Sequence, residues 1–312
     1  MAQIVLIGIG AGLAAALLFA SPMSGTALSF PLFALTGLPI AIAGLGWTPI
    51  AGAIAVLFGG AAIFALLSPD ALGVFLLLFG LPIIWLARLA GLSRQSGDQT
   101  EWFPLGRVLV HAAGAVAIGL TAVGFLIGFN AEVMAVGMTD ALLDWIASSP
   151  EFGPAPSREE LEPFVRFNVA VLPYTLAAIA LVVVVFDLWL AGIVTRASGR
   201  LARPRERMWT AALPVGAAIA FVVALFASFL PVPFAEVAAV VAGAFGCALA
   251  LIGLAVLHAM TVGNNARTVL LTITYFLVVL FGFPILVFAA LGLGETLLHL
   301  RARRFGGAPP AT

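Results

Sequence analysis

The sequence predicts an all-α protein, a polytopic transmembrane bundle of about eight to ten spans with a short amphipathic helical segment on its outer face. Three observations carry this. Hydrophobic residues make up 63% of the chain and charged residues 9%, and the mean hydropathy is +1.19. Soluble domains hold roughly 25% charged residues, so this chain cannot cover a surface that faces water. The apolar runs are also continuous over about 20 residues, the length that crosses ~30 Å of hydrocarbon as a helix. Barrel strands alternate apolar and polar residues instead, and only a helix satisfies its backbone groups within one such run.

The expected spans, in order, are Ala2–Ala20, Thr26–Gly44, Trp47–Leu67, Ala71–Ala90, Arg107–Phe129, Phe167–Val194, Thr210–Leu230, Ala235–His258, Arg267–Phe281 and Pro284–Leu300. The first has a signal-like apolar core, but it lacks a basic n-region and an A-x-A site and is expected to be retained. Pro31 and Pro39 interrupt the second, so a straight helix is not expected there. The last two are separate because one helix over Arg267–Leu300 would run about 50 Å, and Gly282-Phe283-Pro284 offers a break.

Arginine placement sets the expected orientation. Arg196, Arg200, Arg203, Arg205 and Arg207 follow the sixth span with Glu206 as their only acid, which predicts a cytoplasmic loop. The segment from Asn130 to Glu162 holds Glu132, Asp140, Asp144, Glu151, Glu159, Glu160 and Glu162 with Arg158 as its only base, which predicts the outside. Arg301, Arg303 and Arg304 place the tail inside, and counting back places the amino terminus inside too. The chain then divides into a first helical group (1–129), outer interfacial helices (130–166), a second helical group (167–304) and a disordered tail (305–312). In the outer segment Met134, Met138, Leu142 and Trp145 form one helical stripe. Pro150-Glu151-Phe152-Gly153-Pro154 ends that helix, and Ser157 with Glu160 reads as a capping box that opens the next.

Composition narrows function mainly by exclusion. The formal net charge is zero and all fourteen basic residues are arginine. Nothing points to nucleic acid, and without lysine there is neither a Schiff base nor a Walker A loop. Cys247 is the only cysteine, so no intrachain disulfide or cysteine metal cluster forms. There is no H-E-x-x-H, no nucleophile elbow and no pair of carboxylates in one span. An enzyme is not expected, nor a metal or a cofactor. The partners expected are the lipid bilayer and other proteins, and the location is the bacterial cytoplasmic (inner) membrane. The arginine bias also suits a GC-rich bacterium.

Three sets of residues remain as candidates. Ser29, Asn130, Asn168, Tyr174 and Glu236 fall at similar depth near the outer ends of their spans and are candidate ligand-binding groups. Asp187, His258 and Glu295 are ionisable residues within or at the ends of spans. They read as an intramembrane ion pair or a proton site, with Asp187 pairing with an arginine or His258. Gly8, Gly12, Ala16 and Ala20 line one face of the first helix, and Ala238, Ala242, Gly246 and Ala250 repeat the pattern in the eighth. Such stripes allow close helix approach, and the first is a candidate partner interface.

A set of loose motifs also resembles a known family. Gly44, Trp47-Thr48-Pro49, Gly52 and Gly59-Gly60 follow the glycine-rich first helix and precede Gly80-Leu81-Pro82. Trp209, Pro214, Gly253-Leu254-Ala255-Val256-Leu257-His258, Gly292, Glu295 and Arg301 come later. This arrangement is similar to the YybS-like uncharacterised bacterial membrane proteins (domain of unknown function 2232). The chain departs from that family at Glu295, where aspartate is common, and at Ile252, where glutamine is common. The family is distantly similar to substrate-binding subunits of energy-coupling-factor transporters and to MreD. The first likeness implies small-molecule capture, with a coupling subunit and separate ATPases docked on the first helix. The second implies a non-catalytic scaffold among envelope-assembly proteins. A proton-coupled carrier working through Asp187 is a third expectation.

Overall fold

A computed structural model describes residues 1–148, 156–206 and 210–305. The helix break expected at Pro150–Pro154, Arg207, Trp209 and the tail from 306 onward lie outside the described residues. Fourteen α-helices run in the order α1 (Ala2–Ala20), α2 (Ser29–Ala34), α3 (Leu38–Gly46), α4 (Pro49–Leu66), α5 (Pro69–Phe75), α6 (Leu81–Ala90), α7 (Leu105–Leu126), α8 (Ala131–Ala147), α9 (Arg158–Ala197), α10 (Val215–Ala227), α11 (Phe234–Met260), α12 (Arg267–Phe281), α13 (Ile285–Leu298) and α14 (Leu300–Phe305). Among the described residues seven helical stretches are long and apolar enough to cross a membrane, and three shorter apolar helices stand at the remaining expected spans. The chain is a multi-pass, all-α membrane protein.

Local chemistry explains the irregular elements. The second span is broken: α2 and α3 are separated by Leu35-Thr36-Gly37, and Pro39 sits in the first turn of α3. The fourth span carries a π-turn at Leu76–Gly80 just before Pro82. Proline removes the N–H that would bond four residues back, and a wider turn absorbs the misfit. Thr48 and Ser68 cap α4 and α5 by accepting the N–H groups of Ala51 and Ala71. A hairpin of β1 (Ser93–Ser96) and β2 (Gln99–Trp102), not expected from the sequence, joins α6 to α7. It turns at Gly97, whose φ is +61°, and Arg94 pairs across it with Glu101 at 2.6 Å.

The Ser157–Glu160 capping box forms, but the helix it opens does not stop before the sixth span. α9 continues through Pro163 and Pro173 to Ala197, about 60 Å at 1.5 Å per residue. It therefore overshoots ~30 Å of hydrocarbon, and its first turns stand beside α8. α8 packs on α9 through its small residues. Ala135 and Thr139 are buried with Val165 and Val169, while Met134, Met138 and Trp145 stay exposed. Small residues let the two backbones approach, leaving the methionine stripe on the outward face. Arg158 reaches Asp140, and Arg166 grips Glu132 with both arms of its guanidinium.

Helix pairs meet where glycine removes the side chain. A Cβ on Gly8 would lie 2.8 Å from the Ala51 carbonyl oxygen, and one on Gly12 would overlap the Ala55 carbonyl. In the same way Gly243 admits the Tyr174 carbonyl, while Gly253 and Gly292 admit the carbonyls of Phe288 and Leu249. Around these contacts the core is alanine, valine, leucine and isoleucine, with Phe19, Phe33, Phe75 and Phe79 packed ring against ring, mostly edge-on, between α1, α2 and the fourth span.

The stripe on α1 is therefore used inside the chain. Gly8, Gly12 and Ala16 are buried, the two glycines against α4, and Ala20 is half-buried. This corrects the expectation that these residues form a partner interface. The eighth-span stripe is likewise buried.

Two measurements test these packing assignments. Replacing Gly292 with Val should destabilise the bundle by about 1–3 kcal/mol through overpacking. Gly114→Ala, where a Cβ meets nothing within 4 Å, should be neutral or slightly stabilising. Equal thermal midpoints for the two variants in detergent would refute the close α11–α13 approach. At the α8–α9 contact, the Arg166 hydrogen bond holds the Glu132 carboxyl below its ordinary value. A depressed carboxyl contributes stability above its unfolded value, near 4.3 for glutamate, and loses it as pH falls through the folded value. Wild type and Arg166→Gln should accordingly differ in α8 hydrogen exchange at neutral pH and converge in acid. A gap that persists in acid would mean that the pair does not anchor α8.

Candidate functional site

Two ends of the bundle are chemically distinct. At one end the arginines are used within the fold. Arg200 lies 4.3 Å over the Trp47 ring, and buried Arg203 donates to the carbonyls of Ala90 and Phe103 and to Glu206. Arg196 donates to the Arg203 carbonyl. Arg301 pairs with Glu295 at 2.8 Å and donates to the Ala211 carbonyl at 2.7 Å. Much of the arginine-rich loop is thus a staple between segments of this chain, not a free partner surface; Arg205 stays exposed.

The five outer polar residues do not converge on one site. Ser29 is buried in a small network in which Ser21 donates to its carbonyl and the Thr26 N–H donates to its hydroxyl. Asn168 is exposed and donates to the Phe164 carbonyl of its own helix. Tyr174 presents its backbone to Gly243. Only Asn130 and Glu236 come together. Asn130 caps α8 by accepting the Val133 N–H, and Glu236 accepts the Ala131 N–H at 3.2 Å across a long sequence gap. This corrects the expected five-residue cluster, because helix ends consume polar side chains as caps.

Beside Glu236 lies a cavity of about 150 Å³ between α7, α9 and α11, half open at its mouth. Val123, Phe125, Phe129, Pro173, Leu176 and Val240 are among its walls, and Thr121 and Glu236 supply its only side-chain oxygens. Sequence reasoning found Glu236 but missed the cavity, since the wall residues are ordinary lipid-compatible side chains at no special spacing.

The ionisable residues of the spans also separate. His258 hydrogen-bonds Tyr275 of α12 at 2.9 Å. Glu295 belongs to the Arg301 pair, and His299 closes α13 in the left-handed region at φ 51°. Asp187 is different. It is fully buried, it belongs to none of the ion pairs among the described residues, and its one polar neighbour is the Gly37 backbone N–H, which approaches without good hydrogen-bond geometry. The expected pairing with an arginine or His258 does not form, because α9 carries the carboxylate toward the broken second span. A Cβ on Gly37 would lie 2.7 Å from Asp187 Oδ2, and one face of the site is closed by Ile83.

The break itself supplies polar backbone at this depth. Thr36 is fully buried and donates its hydroxyl to the Phe33 carbonyl at 2.6 Å. The turn is held by the N–H groups of Leu35, Thr36 and Leu38, each bonded three residues back. An ionised carboxylate without a counter-ion in such a place costs several kcal/mol even after relaxation. Non-helical backbone at membrane depth is tolerated where protein buries it or a polar cavity adjoins it.

Among the described residues no cluster of histidine, cysteine, aspartate and glutamate is arranged to hold a metal ion. No family model matches the chain, and no curated protein or solved structure matches it either.

Proposed function

We propose that this chain is a membrane carrier for a small solute, with Asp187 at the broken second span as its proton-exchanging centre. The carrying observation is the fully buried carboxylate that sits against the Gly37 turn without a counter-ion among the described residues. Discontinuous helices are a recurring way to place an ion site near the midplane of a transporter, and intramembrane acids without structural partners mark relays. We infer that the arginine end faces the cytoplasm by the positive-inside rule. Energy then comes from the proton gradient. A docked coupling subunit with ATPases has less support, because the first-helix stripe on which it would sit is covered by α4.

A second reading, a non-catalytic scaffold resembling MreD, draws on α12, which buries none of its side chains. It needs no exchangeable proton, so Asp187 separates the two.

The test is infrared difference spectroscopy of the reconstituted protein carrying ¹³C-labelled aspartate. A carboxylic C=O band should change as the bathing pH is stepped and should be absent in Asp187→Asn, whose thermal midpoint stays close to wild type. A band that is insensitive to pH, or spectra identical in both proteins, would reduce Asp187 to a structural brace of the helix break.

A further inference from the structure

We propose that the cavity between α7, α9 and α11 binds a small organic cation, an amine carried on a hydrocarbon body about the size of a benzene ring. Size sets the first limit. The cavity holds about 150 Å³, and an apolar protein cavity of roughly that volume admits benzene. Its walls are aliphatic and aromatic, which favours a hydrocarbon body over a sugar or a nucleotide.

Charge decides the head group. The two side-chain oxygens on the lining belong to Thr121 and Glu236, and no arginine is among the lining residues. Glu236 Oε1 is held by the Ala131 N–H, which fixes the carboxylate in the first turn of α11. Oε2 accepts no hydrogen bond among the described residues and remains for a donor. Phe125 and Phe129 add ring faces that attract a cation. Glu236 is the one charged residue among the lining residues, and the Thr121 hydroxyl can accept as well as donate, so an ammonium is favoured over a carboxylate or phosphate. The inference deepens the transport reading by naming its solute class, and it rests on that reading for every step after binding. Binding is measured without flux, so the two fail separately.

The test is titration of the purified full chain in detergent with benzylamine, with toluene and benzoate as comparators, followed by calorimetry. Benzylamine should bind saturably and benzoate should not. Glu236→Gln keeps an oxygen for the Ala131 N–H but removes the charge; it should weaken benzylamine at least about tenfold and leave toluene unchanged. Gly124→Leu adds a side chain where a new Cβ meets only the Phe129 Cβ, at 3.9 Å, and should abolish binding of both. Identical benzylamine titrations for wild type and Gly124→Leu would show partition into the micelle only and overturn the site. A Glu236→Gln protein that binds benzylamine as wild type does would overturn the cation assignment even if the cavity is occupied.

Discussion

The close approach of backbones at glycine is the contact on which the rest of this bundle depends. Lipid tails are as apolar as leucine, so no hydrophobic force drives these helices together. What remains is dispersion between atoms near optimal separation, each worth about 0.1–0.2 kcal/mol and summed over many contacts. Gly12 against Ala55, Gly243 against Tyr174 and Gly292 against Leu249 bring whole turns of backbone within that range. Larger residues at those points would hold the helices apart and forfeit the contacts on either side. The alanine-rich core that surrounds them follows from the same geometry.

Tight packing at those points also fixes where irregularity is tolerated. The second span breaks at Leu35–Gly37, and the break lies against α9 where Asp187 and Gly37 meet. Glycine at 37 leaves room for the carboxylate; any larger residue would collide with it or with Ile83. Asp187 has two physical interpretations here. As a brace it would bond the free N–H groups at the start of α3, yet neither oxygen reaches a donor with good geometry. As an exchange centre it needs an unsatisfied carboxylate, a polar turn opposite and no permanent counter-ion. The proposed carrier reading rests on the second set of requirements.

Much of the fold was legible because hydropathy over a span is a sum of many residues and tolerates local error. The apolar runs, the doubtful second span with Pro31 and Pro39, the break at Gly282–Pro284 and the Ser157 capping box all rest on composition or on short-range chemistry. What could not be read depended on facing. The stripe at Gly8, Gly12, Ala16 and Ala20 announces a close contact but not whether its partner is α4 or another chain. Met134, Met138 and Trp145 form a clear stripe, yet α8 packs through Ala135 and Thr139 because α9 is a protein surface and the stripe suits lipid. Pro163 and Pro173 lie inside α9, where the neighbouring turns carry the helix past them. The hairpin at Ser93–Trp102 did have a signal, Gly97-Asp98 between two short polar runs, which is easily lost beside so many apolar residues. The outer polar cluster failed for a different reason: predicted depth says nothing about which side chains are consumed as caps.

The two candidate centres share one element, and that gives α9 a mechanical meaning. Pro173 lines the outer cavity and Asp187 sits about 21 Å further along the same helix at 1.5 Å per residue. Proline is where a long helix bends most readily, so Pro173 lies between a site that would sense a solute and a site that would exchange a proton. Coupling at a distance requires an element with two arrangements that both sites bias. A bend at Pro173 that shifted the lower half of α9 against Gly37 would move Asp187 relative to the broken span. It would leave the upper half pinned to α8 by Arg158 and Arg166. The glycine contact between Gly243 and Tyr174 sits just below the proline and holds that turn of α9 against α11, so a bend at Pro173 would work against a fixed point.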